Sequence, residues 1–147
     1  MITKRIQKRI QFAKDTNAPY GVGSFSQGVI LIIGEQASNP VTAPDQLPFC
    51  DHVGCSGWLN QRFKATEIQE ERLFWVNILN NDGSVIDIKA LVDQLKPDKI
   101  AALGNVAFEH CKNTHLDVYH FYHPQYWKRF KTREPYQLIS WLKEATW

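Results

Sequence analysis

Glu35, Gln36, Asn77 and His123 are the residues whose types and positions suggest chemistry, because each follows or closes an apolar run. Glu35 and Gln36 follow Val29-Ile30-Leu31-Ile32-Ile33-Gly34. Asn77 closes Leu73-Phe74-Trp75-Val76, and His123 follows Val118-Tyr119-His120-Phe121-Tyr122. The carboxylate of Glu35 can take a proton or offset positive charge. Gln36 both donates and accepts hydrogen bonds but cannot serve as a general base. His123, framed by Pro124, can donate a hydrogen bond to developing negative charge, or can simply satisfy a nearby backbone group. Asn77 is a polar residue at the end of a buried strand and needs a dedicated partner.

These groups act together only if the fold delivers their loops to one place. Ile2, Ile6 and Ile10 recur at helical spacing, with Lys4, Arg5, Lys8, Arg9 and Lys14 around them. Residues 2–14 therefore predict an amphipathic helix whose basic side faces either solvent or phosphates. A breaker-rich loop follows at residues 17–23. The run 29–33 predicts a buried parallel strand, and the proline-bearing segment 38–55 predicts irregular backbone. Ser56 is placed to cap a helix through Phe63. Strands are expected at 73–76, 100–103 and 117–122, and helices at 86–95, 104–112 and 134–145. The order α-β-α-β-α-β-α-β-α predicts one domain, residues 1–147. Its expected class is α/β, a three-layer α/β/α sandwich around a central four-stranded, mainly parallel sheet. In such sheets ligands bind at the carboxyl ends of the strands.

The 147 residues suffice for one domain with a real core but not for two. A net charge of +2 does not by itself announce a nucleic-acid binder, so the distribution of charge matters more than its sum. Five Trp and an aromatic share of 12% suit base stacking, although a core filled with large side chains accounts for most of them. Cys50, Cys55 and Cys111 are an odd set without CxxC spacing, which argues against a disulfide framework. Cys50, His52 and Cys55 raise zinc, but a tetrahedral site lacks its fourth ligand; no metal and no other cofactor is expected. No apolar run approaches the roughly 20 residues of a membrane span. No signal-peptide stretch follows the basic opening, so a cytoplasmic monomer without a membrane partner is expected.

Five short segments, in order and spacing, resemble the uracil-DNA glycosylase superfamily. Gly34-Glu35-Gln36-Ala37-Ser38 is similar to its first motif, whose variants run GQDPY, GINPG and GEAPG. Leu47-Pro48-Phe49 followed by Ser56-Gly57-Trp58-Leu59 resembles a segment of the GEAPG-type family. Leu73-Phe74-Trp75-Val76-Asn77 resembles the strand that ends in a base-reading asparagine. Lys96 to Gly104 resembles the family's "kPk-IvaLG" strand, and His123-Pro124-Gln125 stands where the family has His-Pro-Ser. The resemblance covers Val29 to Leu142. It departs at Gln36, where efficient members carry Asp, at Gln125, and in lacking the four cysteines of the GEAPG-type iron–sulfur cluster.

The resemblance implies a hydrolase that cleaves the N-glycosidic bond of uracil or a modified pyrimidine in DNA, a base-excision repair activity that works by base flipping. Glu35, assisted by Gln36, would orient water beneath the sugar, and His123 would donate to the pyrimidine oxygen as it gains charge. Phe49 would stack on the extruded base, unless it is only a core aromatic, and Asn77 would pair with its amide edge. Ser56 and the stretch Tyr126-Trp127-Lys128-Arg129-Phe130-Lys131 would meet DNA. There Tyr126 or Trp127 would fill the space of the missing base while Lys128, Arg129 and Lys131 contact phosphates, unless the stretch is a solvated basic turn. Two other classes fit the same residues: a nucleotide- or nucleic-acid-binding protein that cleaves nothing, and an enzyme acting on free or hypermodified nucleotides.

Overall fold

A buried apolar run with β-branched residues at its core has nowhere to go but the middle of a sheet, and Ile30–Gly34 lies there. The chain is described from a computed structural model covering residues 4–18, 21–35, 48–50, 54–64, 66–79, 84–131 and 133–145. Its elements in order are helix α1 (Lys4–Asp15) and strands β1 (Val22–Gly23) and β2 (Ile30–Gly34), then α2 (Gly54–Phe63) and a 3-10 turn (Glu70–Arg72). Strand β3 (Leu73–Asn77), α3 (Ile88–Leu95), β4 (Lys99–Leu103) and α4 (Asn105–Asn113) follow. The chain then forms β5 (Tyr119–Phe121), α5 (Pro124–Phe130) and α6 (Gln137–Ala145).

The fold is mixed α/β with a five-stranded sheet in the order β1-β3-β2-β4-β5. Neighbours among β3, β2, β4 and β5 pair parallel, and only β1 runs antiparallel, against β3. The expected sheet of four strands is corrected to five. The extra edge strand is two residues long and sits in the segment expected to be loop, so no periodicity announces it. A second correction concerns the chain after His123. It forms α5, not a turn, because Pro124 occupies the first helical turn, where its missing N–H costs no hydrogen bond.

Alternating residues of the strands feed two cores, as a period of two requires. Ile30, Ile32, Trp75, Ala101 and Leu103 pack with residues of α2, α5 and α6, whereas Leu31, Ile33, Phe74, Val76 and Ala102 pack with residues of α3 and α4. Most of the tryptophans are spent here: Trp58, Trp75 and Trp127 are all buried.

Helix α1 departs from both expectations for its basic side. Ile6 is buried as its period predicts, but so is Arg9, with no exposure at all. The Arg9 guanidinium lies 2.8 Å from the Glu70 carboxylate and stacks over the Trp75 ring at 4.1 Å. Its Nη1 donates to the Asn60 side-chain oxygen at 2.6 Å and to the Phe49 carbonyl at 2.8 Å. Arg5 adds a 3.2 Å pair to the same Glu70. Buried charge persists only when paired, and this cluster draws the partners from residues far apart in sequence, although Nε and Nη2 of Arg9 make no hydrogen bond among the described residues.

Candidate functional site

The parallel strands all end on one side of the sheet; Asn77 closes β3, and Glu35 and His123 follow the ends of β2 and β5 by one and two residues. β2 pairs with β3 as far as Gly34 opposite Asn77, but with β4 only as far as Ile33 opposite Ala102. Beyond that point β2 and β4 part company. The carbonyls of Gly34 and Glu35 accept from the amides of Ile78 and Leu79 at 2.9 and 2.8 Å, binding the β2 exit to β3. On the other side, the Gly104 amide donates to the Phe121 carbonyl at 2.8 Å, binding the β4 exit to β5. The opening between them is the topological switch point of the sheet, where ligands bind in open α/β folds.

Gly34, Phe49 and Asn77 form one wall. A Cβ added to Gly34 would lie 2.5 Å from both the Asn77 side-chain oxygen and the tip of the Phe49 ring. Glycine is thus required there by the approach of the other two. Asn77 is only 6% exposed, and its carboxamide forms no hydrogen bond among the described residues. Phe49 is buried, its ring 5.2 Å from that of Trp75. It is therefore both core aromatic and crevice wall. Its backbone has φ of 56°, a left-handed conformation costing a non-glycine residue on the order of 1–3 kcal/mol. Two bonds to its carbonyl hold it there, from Arg9 and, at 2.9 Å, from the Asn60 amide nitrogen. The buried charge of α1 is thus a positioning device for Phe49, a role that nothing in the sequence signals.

His123 lies on the other side of the switch point, against Gly104 at the β4 exit. It is the N-cap of α5, and its Nδ1 accepts the backbone N–H of Gln125 at 3.1 Å. A backbone amide can only donate, so Nδ1 carries no proton and the neutral ring carries it on Nε2. Burial lowers the His123 pKa below its ordinary value of 6.5, while the nearby Glu35 carboxylate opposes that shift. The neutral ring with an Nε2–H donor is the form so held. Gly104 makes room for the ring: a Cβ there would meet His123 Cβ at 3.0 Å and Cδ2 at 3.2 Å. The Tyr136 hydroxyl, from just before α6, donates to the Tyr122 carbonyl and fixes the chain entering His123.

Glu35 is exposed at the mouth, near enough to His123 to act on its charge. Gln36 lies outside the described residues. Ser56 is not the cap expected of it, since α2 begins at Gly54, and it is buried inside the first turn. Its hydroxyl is not presented on the surface for DNA. Trp127 is also corrected as a duplex-filling side chain: it is 4% exposed, belongs to the core and donates its indole N–H to the Glu134 carbonyl at 2.9 Å. Helical geometry forces this, because turning Trp127 inward leaves Tyr126 and Arg129 outside. Tyr126, Lys128 and Arg129 are exposed, while Lys131 is half-buried, 3.5 Å from Glu134 and over the Trp127 ring.

Burial pushes the Cys50 thiol up to about 12 and the Cys111 thiol up to about 11. Thiols held protonated in this way are poor nucleophiles. His52, the other residue that raised zinc, lies outside the described residues. Among the described residues no helix is long and apolar enough to cross a membrane.

A cavity of about 580 Å³ opens on the β5 side of His123, with Gly104 also in its wall. The chain matches no protein-family model and no curated protein sequence.

Proposed function

We propose that this chain is a DNA glycosylase that hydrolyses the N-glycosidic bond of uracil or a modified pyrimidine, on a three-layer sandwich of the uracil-DNA glycosylase kind. What supports the proposal is the position, around one switch point, of the His123 Nε2–H donor, the Glu35 carboxylate and the carboxamide of buried Asn77, which has no hydrogen-bond partner among the described residues.

Breaking the bond between the sugar C1′ and the base N1 leaves its electron pair on the base and positive charge on the sugar. His123 donates from Nε2 to the pyrimidine oxygen that gains this charge. It does so as a neutral imidazole, and keeps its proton. Glu35 faces the sugar, offsets the cation and takes a proton from the water that adds to C1′; Gln36 assists in holding that water. Asn77 matches the donor–acceptor amide edge of the base, and Phe49 covers its face. A preorganised donor of the His123 type is worth about 10²–10³ in rate.

The test is a panel of labelled oligonucleotides carrying uracil or hydroxymethyluracil, paired, mispaired or single-stranded. The proposal expects alkali-labile sites at the marked base, lost on His123→Ala.

A second reading, an enzyme acting on free nucleotides, draws on one specific observation. Arg9 and Arg5 turn inward to Glu70, which leaves fewer cations on the surface for a phosphate backbone. Turnover of a free nucleotide, together with DNA affinity that does not respond to salt, would select it over the first.

A further inference from the structure

Tyr122, Tyr126 and Phe130 are 53%, 40% and 69% exposed, yet they touch one another in sequence. The Tyr122 and Tyr126 rings stack with centroids 4.9 Å apart and planes 16° from parallel; Tyr126 and Phe130 follow at 5.1 Å and 44°. Tyr126 and Phe130 lie four residues apart on one face of α5, and Tyr122, just before the helix, extends the same row. A contiguous exposed strip of aromatic rings often marks an interaction site.

We propose that this ladder is a stacking track for single-stranded DNA, and that it leads the strand to His123 with a nucleotide neighbouring the reacting one in the cavity on the β5 side. Three features select this occupant. Arg129, three residues beyond Tyr126, flanks the strip, and Lys128 stands exposed next to it; neither forms an ion pair among the described residues. Aromatics bordered by free cations suit a polyanion with open base faces better than an apolar protein partner. Tyr122 and Tyr126 also line the cavity, together with Asn105, His120, His123 and Gln137, whose amides and imidazoles match the edges of a neighbouring base; Glu35, Phe49 and Asn77 are not in its lining. At about 580 Å³ the cavity is of a size that takes small-molecule ligands. A duplex cannot use such a strip, because its bases are already stacked and paired. The inference deepens the proposed function by naming a single-stranded substrate, and rests on that function only for the reaction performed.

The test is fluorescence anisotropy of a labelled oligothymidylate, free or annealed to oligoadenylate, with release of uracil from a matching single strand measured in parallel. The single strand is expected to bind at least about tenfold more tightly than the duplex. Tyr126→Ala and Phe130→Ala should each weaken it by about fivefold or more, the low end of base stacking. Tyr126→Phe should keep the affinity, which separates ring loss from misfolding, and Arg129→Ala should reduce the salt slope by about 0.7. Duplex binding as tight as single-strand binding would overturn the proposal. So would unchanged affinity in Tyr126→Ala/Phe130→Ala, including the case where that variant abolishes a dimer of the wild type. Single-strand binding without base release leaves the track standing and removes the glycosylase; base release indifferent to the ladder variants does the reverse.

Discussion

The backbone N–H of Gln125 donates to Nδ1 of His123, and this one bond decides which nitrogen of the imidazole holds the proton. Its consequence is measurable by pH. Burial depresses the His123 pKa below 6.5, so above that pH the ring is neutral in both folded and unfolded chains. As the pH falls below 6.5 the unfolded chain takes up the proton first, and stability declines until the pH passes the lower folded pKa. Protonating Nδ1 sets it against the Gln125 amide, so the acid limb of activity should have its midpoint below 6.5. Nitrogen-detected NMR of the ring should show the Nε2–H tautomer at neutral pH. Because the bond is made by the main chain, Gln125→Ser should leave both results in place.

Arg9→Ala should destabilise the protein by about 3–5 kcal/mol, since it removes the fully buried partner of the Glu70 carboxylate and leaves only the partly exposed Arg5 to pair with it. That corresponds to a fall of roughly 6–20 °C in Tm for a chain of this size. Arg9→Met combined with Glu70→Gln should recover a large part of the loss. The double variant should still bind base poorly, because the Phe49 carbonyl loses one of the two bonds that hold its left-handed backbone.

Gly34→Ala tests the near wall of the crevice. The new methyl would press on the Asn77 oxygen and the Phe49 ring at 2.5 Å, with no unusual φ to blame. Overpacking of this kind costs about 1–3 kcal/mol. Activity should fall further than thermal stability does, with the loss in substrate binding and in turnover together.

Trp127 and Tyr126 are neighbours in sequence with opposite fates. Trp127→Ala should cost about 3–5 kcal/mol by emptying the core, whereas Tyr126→Ala should change Tm little. A calorimetric scan of the two variants settles which of the adjacent rings is structural.

Much of this architecture is readable from composition and spacing. Ile30 to Gly34, Leu73 to Asn77 and Lys99 to Leu103 are short apolar runs with breakers on either side, and buried parallel strands have few other sequence signatures. Asp87 caps α3 through the Ala90 amide, and Lys96 ends it in a left-handed conformation just before Pro97. What stays hidden is set by contacts between distant residues. Arg9 resembles the other cations of α1, and only its pairing with Glu70 makes it a core residue. His123 gives no sign of being a helix cap. Pro124 was the available signal, being a residue favoured at the first helical position. The last expected strand, 117–122, shortens to Tyr119–Phe121 because it pairs only with β4 and has an open edge.

The most direct measurement is single-turnover release of free base from a uracil-bearing oligonucleotide, followed by mass spectrometry. The account predicts free uracil and an intact abasic strand from the wild type. It also predicts a loss of about 10²-fold or more in His123→Ala and a comparable loss in Glu35→Gln. Release of no pyrimidine base from any substrate, or release that is unchanged in both variants, would contradict it.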